Sequence, residues 1–154
     1  MTPACRRAEL TRDESLRLVG SVAFGRIVFT SRALPAIEPV SHLVAGPQII
    51  IRASLGAAFS SAAPGCGTVV AYQAELLDPG SRAGWSVVVI GRARRLTSEA
   101  RAARYRTLLR PWADDEMDEV IAIGADLVTG FRIVSAPSGL AAAVTGVPDL
   151  SALA

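Results

Sequence analysis

The chain contains no lysine: all 16 of its basic residues are arginine. No side-chain amine is present to form a Schiff base, which excludes lysine-based covalent catalysis on a carbonyl. Histidine occurs once, at His42, so a multi-histidine metal site is excluded and imidazole acid–base chemistry has one candidate. Cysteine occurs twice, at Cys5 and Cys66, too few for a zinc cluster or a disulfide framework. We read both as free thiols, and we expect no metal. Long apolar runs are missing too. The longest uncharged stretch, Ala53 to Ala74, contains Ser54, Ser60, Ser61, Pro64, Gly65 and Gly67, which break a spanning helix. Near the N-terminus, Cys5-Arg6-Arg7 leads into a charged helix start with no apolar segment of the signal-peptide kind. These features predict a cytoplasmic protein with no membrane segment.

What is present is a single domain's worth of β-strand pattern in 154 residues, just over half of them hydrophobic. Thr11-Arg12-Asp13-Glu14 is a capping box that starts a helix to about Val19. Strands are predicted over 22–30, 34–44, 48–53, 68–77 and 84–96, with a last long one over 119–134 interrupted near 124–126. Pro35 and Pro39 cannot donate to a ladder, which places the second strand at an edge or makes it irregular. A short helix is expected after Gly56, through about Ala62. Another, capped by Thr97 or Ser98, runs to about Arg110 with Ala102, Tyr105 and Leu109 as its buried stripe. Six strands with short helices predict a mainly β protein, a small antiparallel barrel. Residues 1–9 read as a flexible N-terminus, 10–134 as the domain and 135–154 as a loosely held tail.

One strand stands apart. Trp85, Val87 and Val89 are apolar on one face, and Val88 and Ile90 on the other. Apolar character on both faces predicts cover on both, the core on one side and a second subunit on the other. Net charge is +2, unevenly spread. Arg92, Arg94, Arg95, Arg101, Arg104, Arg106 and Arg110 crowd one region, ahead of Asp114, Asp115, Glu116, Asp118 and Glu119. No DNA- or RNA-binding motif accompanies the arginines, so nucleic acid is not an expected partner.

The order Leu34-Pro35-Ala36-Ile37-Glu38-Pro39-Val40-Ser41-His42, Ile49-Ile50-Ile51-Arg52-Ala53-Ser54-Leu55-Gly56, Val69 to Glu75, Gly84-Trp85-Ser86 and Pro111-Trp112 resembles one known family. It is that of the flavin-binding split-barrel proteins related to pyridoxamine 5'-phosphate oxidase, in its small actinobacterial form. The resemblance covers roughly residues 10 to 134 and implies a six-stranded antiparallel split β-barrel of the FMN-binding type, working as a homodimer. It implies a flavin at the dimer interface, its ring beside Pro39, Val40, Ser41, Arg52, Ala53 and Ser54. Its phosphate would lie near Gly56, with Trp85 and Ser86 supplied by the facing subunit. One part of the family pattern is missing. Serine, arginine or lysine usually follow the glycine, whereas Ala57, Ala58 and Phe59 stand here. Each lost bond to a charged phosphate removes ~1.5–3 kcal/mol.

Three readings follow. One is an FMN-dependent oxidoreductase of unknown substrate. Another is a non-catalytic dimer that carries or senses a flavin, a deazaflavin, haem or another nucleotide-like molecule. The third is a protein-interaction module with an empty pocket. A true pyridoxamine 5'-phosphate oxidase is not expected, because its substrate-binding basic residues are not recognisable.

Overall fold

The computed structural model describes residues 5–56, 67–111 and 119–135. Along the chain run β1 (Cys5–Glu9), α1 (Arg12–Gly20), β2 (Phe24–Ser31), β3 (Leu34–Ala45), β4 (Gln48–Ala53), β5 (Thr68–Asp78) and β6 (Ala83–Arg95). They are followed by α2 (Glu99–Leu108), β7 (Glu119–Gly124) and β8 (Leu127–Ser135). All strand pairings are antiparallel. The sheet order is β1-β8-β6-β5-β2-β3-β4-β7, and a further β6–β7 pairing closes the last six of these into a barrel. β6 is long enough to serve both ends of the sheet. Its residues Gly84–Ile90 pair with β8, and Ala93–Arg95 pair with β7. The sheet splits between those two stretches. This is the expected split barrel.

Two expectations change. The last strand is two strands, because the chain leaves the ladder at Ala125 and Asp126 between β7 and β8. Residues 5–9, expected to be free, form β1 along β8, with Arg7 opposite Ile133 and its guanidinium carbon 3.6 Å from the centre of the Phe131 ring. That cation–π contact and the ladder fix a segment whose side chains are all exposed. The helix expected after Gly56 and the tail beyond Ser135 lie outside the described residues.

The main core fills the barrel. Ile27 and Phe29 of β2, Val40 of β3, Ile49 and Ile51 of β4, Tyr72 of β5, and Trp85, Val87 and Val89 of β6 all point inward. The capping box forms as the sequence requires, with the Glu14 amide donating to Thr11 Oγ1 at 3.3 Å and the Thr11 amide to Glu14 Oε2 at 2.8 Å. It sets α1 over the barrel, with Leu18 and Val19 buried. A second, smaller core lies outside, where α2 lays Ala102 and Leu109 against Ile50, Val120 and Ala122. No helix among the described residues is long and apolar enough to cross a membrane.

The two prolines of β3 sit where a missing N–H costs least. Pro35 and Pro39 face Thr30 and Arg26 of β2, whereas β4 joins β3 only from His42 onward. That stretch of β3 is an open edge. The outer face of β6 is not fully covered within the chain: Ser86 is buried, Val88 half-buried and Ile90 exposed. Exposed Val69 and Leu127 belong to the strands beside it, β5 and β8.

Candidate functional site

Strand alternation distributes the candidate residues over three environments. Val40 and Ala53 point into the barrel and are buried there. Pro39, Ser41 and Arg52 lie on the outer face of β3 and β4, Pro39 exposed and the other two half-buried. Ser54 and Gly56 follow the end of β4, with Gly56 at φ 51° and exposed. These residues come together around one end of β4.

The polar atoms there have found partners in the segment after α2. Arg52 Nη1 donates to the main-chain carbonyls of Arg106 at 3.2 Å and Leu109 at 3.1 Å. The Ser41 hydroxyl donates to the Arg110 carbonyl at 2.9 Å. The last carbonyls of a helix lack partners inside it, and a guanidinium is suited to hold them. Arg52 and Ser41 thus anchor the end of α2 to the face where the resemblance puts a cofactor. Beside them opens a cleft of about 590 Å3, between Gly20–Ala23 on one side and Ser41, Leu43 and Leu108–Arg110 on the other.

Trp85 and Ser86 part company. Trp85, expected against a partner's ligand, shares a face with Val87 and Val89 and is 1% exposed inside the barrel. Its indole Nε1 has no hydrogen-bond partner there. Ser86 faces outward, where its hydroxyl accepts from Gln73 Nε2 at 3.4 Å. The same amide donates to Glu75 at 3.1 Å, and Glu75 meets Arg26 at 3.4 Å. A second cleft, of about 510 Å3, runs past Ser86, Val88, Thr129, Phe131, Arg7 and Glu9. Within one chain Ser86 does not join Ser41 and Arg52, because β5 and β2 lie between β6 and β3. Ser41 and Ser86 therefore line two separate outer clefts.

His42, the one imidazole candidate, is buried, on the barrel side of β3. Its Nε2 lies 2.6 Å from the Val19 carbonyl, an acceptor, so Nε2 carries the proton. Nδ1 then accepts from the Tyr72 hydroxyl, whose ring meets the imidazole edge-on. Burial holds the His42 pKa below its ordinary value despite the carbonyl, and burial pushes the Tyr72 hydroxyl up. Both are neutral at pH 7 and withdrawn from solvent. A period-two signal was available for this pair, since His42 shares parity with Val40 and Tyr72 with Val70 and Ala74.

Residues 11–137 match the model of the pyridoxamine 5'-phosphate oxidase family. The chain belongs to that family. It is 48% identical over 147 residues to the uncharacterised protein Rv0080 of Mycobacterium tuberculosis, covering 88% of this chain and 97% of that one. Among solved structures, a Corynebacterium glutamicum protein named after pyridoxamine 5'-phosphate oxidase is 27% identical. It matches with a TM-score of 0.69 over 85% of this chain and all of the other. The FAD-binding protein of Mycobacterium smegmatis is 28% identical, with a TM-score of 0.60 over 82% of this chain and 98% of its own. Family membership and the split barrel agree.

Proposed function

We propose that this protein is a homodimeric flavin-binding member of the pyridoxamine 5'-phosphate oxidase family, holding FMN between subunits and acting as an oxidoreductase. The observation that carries this reading is the division of the candidates into two outer clefts. One is lined by Ser41 and by Leu109 and Arg110, whose stretch of chain Arg52 and Ser41 hold, and the other is lined by Ser86. A second copy that brings its Ser86 cleft against the Ser41 cleft completes a site that one chain leaves in halves. Exposed apolar residues on the outer face, Ile90 of β6 and Leu127 of β8 opposite it, are the kind a subunit contact buries. The FAD-binding neighbour supports a flavin as occupant.

The residues present fit a flavin in part. Ser41 keeps lone pairs after donating to Arg110, and at Gly56 no heavy atom among the described residues lies within 4 Å of where a Cβ would stand. A bound flavin supplies electron transfer between a reduced nicotinamide and an acceptor. The chain's own residues bind and orient it and exclude water. Its one histidine, His42, is 4% exposed in the wall of the Ser41 cleft, with both ring nitrogens engaged by the Val19 carbonyl and the Tyr72 hydroxyl. The engagement of Arg52 with two carbonyls favours one further reading, a carrier or sensor dimer that binds cofactor without turnover.

Titration of the protein with FMN and with FAD, followed by quenching of flavin fluorescence, tests the proposal. Saturation at one flavin per chain is the expected result, and Arg52→Ala is expected to abolish it. Unchanged affinity in Arg52→Ala removes Arg52 from the site. Absence of saturation with either flavin contradicts the flavin reading itself.

A further inference from the structure

At the other end of β4 from Arg52 lies a third cleft, of about 380 Å3, whose composition no flavin site explains. Gln48 at the start of β4 is in its wall. From there to Ser54 is roughly 20 Å along the strand at ~3.3 Å per residue. Arg92, Arg94 and Arg95 come from the end of β6, and Arg101 from the first turn of α2. Among the described residues Asp126 is the one acid in the lining, and it accepts from the Arg92 amide at 3.3 Å. Just outside, Glu119 holds Arg95 at 2.7 Å. Arg94 and Arg101 form no ion pair among the described residues. An added Cβ at Gly67 would meet Arg94 Cγ at 2.9 Å, so the stem of this arginine lies against the chain as β5 begins.

We propose that this cleft binds a compact polyphosphate group, free or carried by a nucleotide. Like charges placed this close repel, and an anion of two or more charges offsets the repulsion while taking up several guanidinium donors at once. The wall is concave, so the field of the arginines is focused into it. Its volume falls within the ~300–1,000 Å3 of small-molecule sites. Among the described residues no aromatic side chain lines it to stack a base, and the phosphates are what it reads. A single-stranded nucleic acid site, by contrast, combines its cations with aromatic platforms. The Ser98 hydroxyl accepts from the Arg101 amide at 3.5 Å, which caps the helix. The arginines, and not the helix end, recognise the ligand.

Calorimetric titration of the full chain with sodium pyrophosphate, with ADP and with a single-stranded oligonucleotide tests this. Saturable binding of pyrophosphate at one per chain is expected, weakened about tenfold or more in Arg101→Glu. Saturating FMN is expected to leave it unchanged, which separates this cleft from the flavin site. Equal affinity for ADP shows that the phosphates alone are read, and tighter ADP binding assigns the ligand to the nucleotides. The combined Arg94→Glu and Arg101→Glu variant should abolish binding. Where it fails to fold, Arg101→Glu alone decides. No saturable heat with pyrophosphate, or the same affinity in Arg101→Glu, overturns the proposal. So does an oligonucleotide that binds more tightly than pyrophosphate and is released by Arg101→Glu, which makes the face a nucleic-acid surface.

Discussion

Arg52 donates from Nη1 to the Leu109 carbonyl at 3.1 Å, so a cation on the candidate cofactor face also fastens the end of α2. Ser41 does the same for Arg110 from the neighbouring strand. The two contacts differ in what their removal leaves behind. Ser41→Ala deletes one partly exposed bond and is expected to cost about 1 kcal/mol. Arg52→Ala strands two carbonyls and exposes packed surface, so it should cost more, about 1–3 kcal/mol. Urea unfolding of both variants checks the order. Equal loss in the two would show that the guanidinium does not hold the helix end.

The His42–Tyr72 pair gives stability a pH dependence. His42 titrates below its ordinary value of 6.5 in the folded chain because burial disfavours the imidazolium. The unfolded chain therefore binds the proton first as pH falls. Stability is full above about 6.5 and is lost progressively below it, with the loss complete once the folded histidine is itself protonated. Denaturation midpoints between pH 7.5 and pH 5 should fall in the wild type and fall less in His42→Gln. Parallel curves would place the responsible group elsewhere.

Gly25 lies beneath this pair. A Cβ there would collide with the Tyr72 hydroxyl and the Gln73 carbonyl, one a member of the buried network and the other rigid main chain. Gly25→Ala is expected to cost ~1–3 kcal/mol through overpacking. Gly46 is the control, with φ 58° and no atom within 4 Å of an added Cβ. Gly46→Ala pays backbone strain alone, about 1 kcal/mol. Thermal unfolding that ranks Gly46→Ala as the worse variant would contradict the placement of Tyr72.

Much of this architecture is legible in the chain, and the failures have physical causes. Thr11 and Glu14 announce α1, Ser98 announces α2, and the run from Gln48 to Ala53 is bounded as read. The resemblance gave the split barrel and the candidate surface. What pattern could not show is which partner a main-chain atom finds. The carbonyls of Arg106, Leu109 and Arg110 belong to every residue alike, so nothing in sequence marks them as the partners of Arg52 and Ser41. β1 was missed because its five side chains are all exposed and carry no alternation. Trp85 was read as a contact because an indole suits either role, and the parity it shares with Val87 and Val89 decides for the core.

Ile90 is 37% exposed on the outer face of β6, opposite Ala71 and Leu127. Ile90→Asp places a charge on that surface without entering the barrel, so it should give a folded monomer where the proposed function requires the wild type to be a dimer. Light scattering with circular dichroism checks both halves of this expectation. A clean dimer of Ile90→Asp would move the subunit contact off this face.

The most direct test of the flavin reading is the visible absorbance of the freshly purified protein, repeated after incubation with FMN and desalting. Retained flavin absorbance at close to one equivalent per chain is the predicted result. It would mean that Arg52, Ser41 and the facing subunit hold the cofactor without the cations that usually follow Gly56. A protein that stays colourless through both steps contradicts the account.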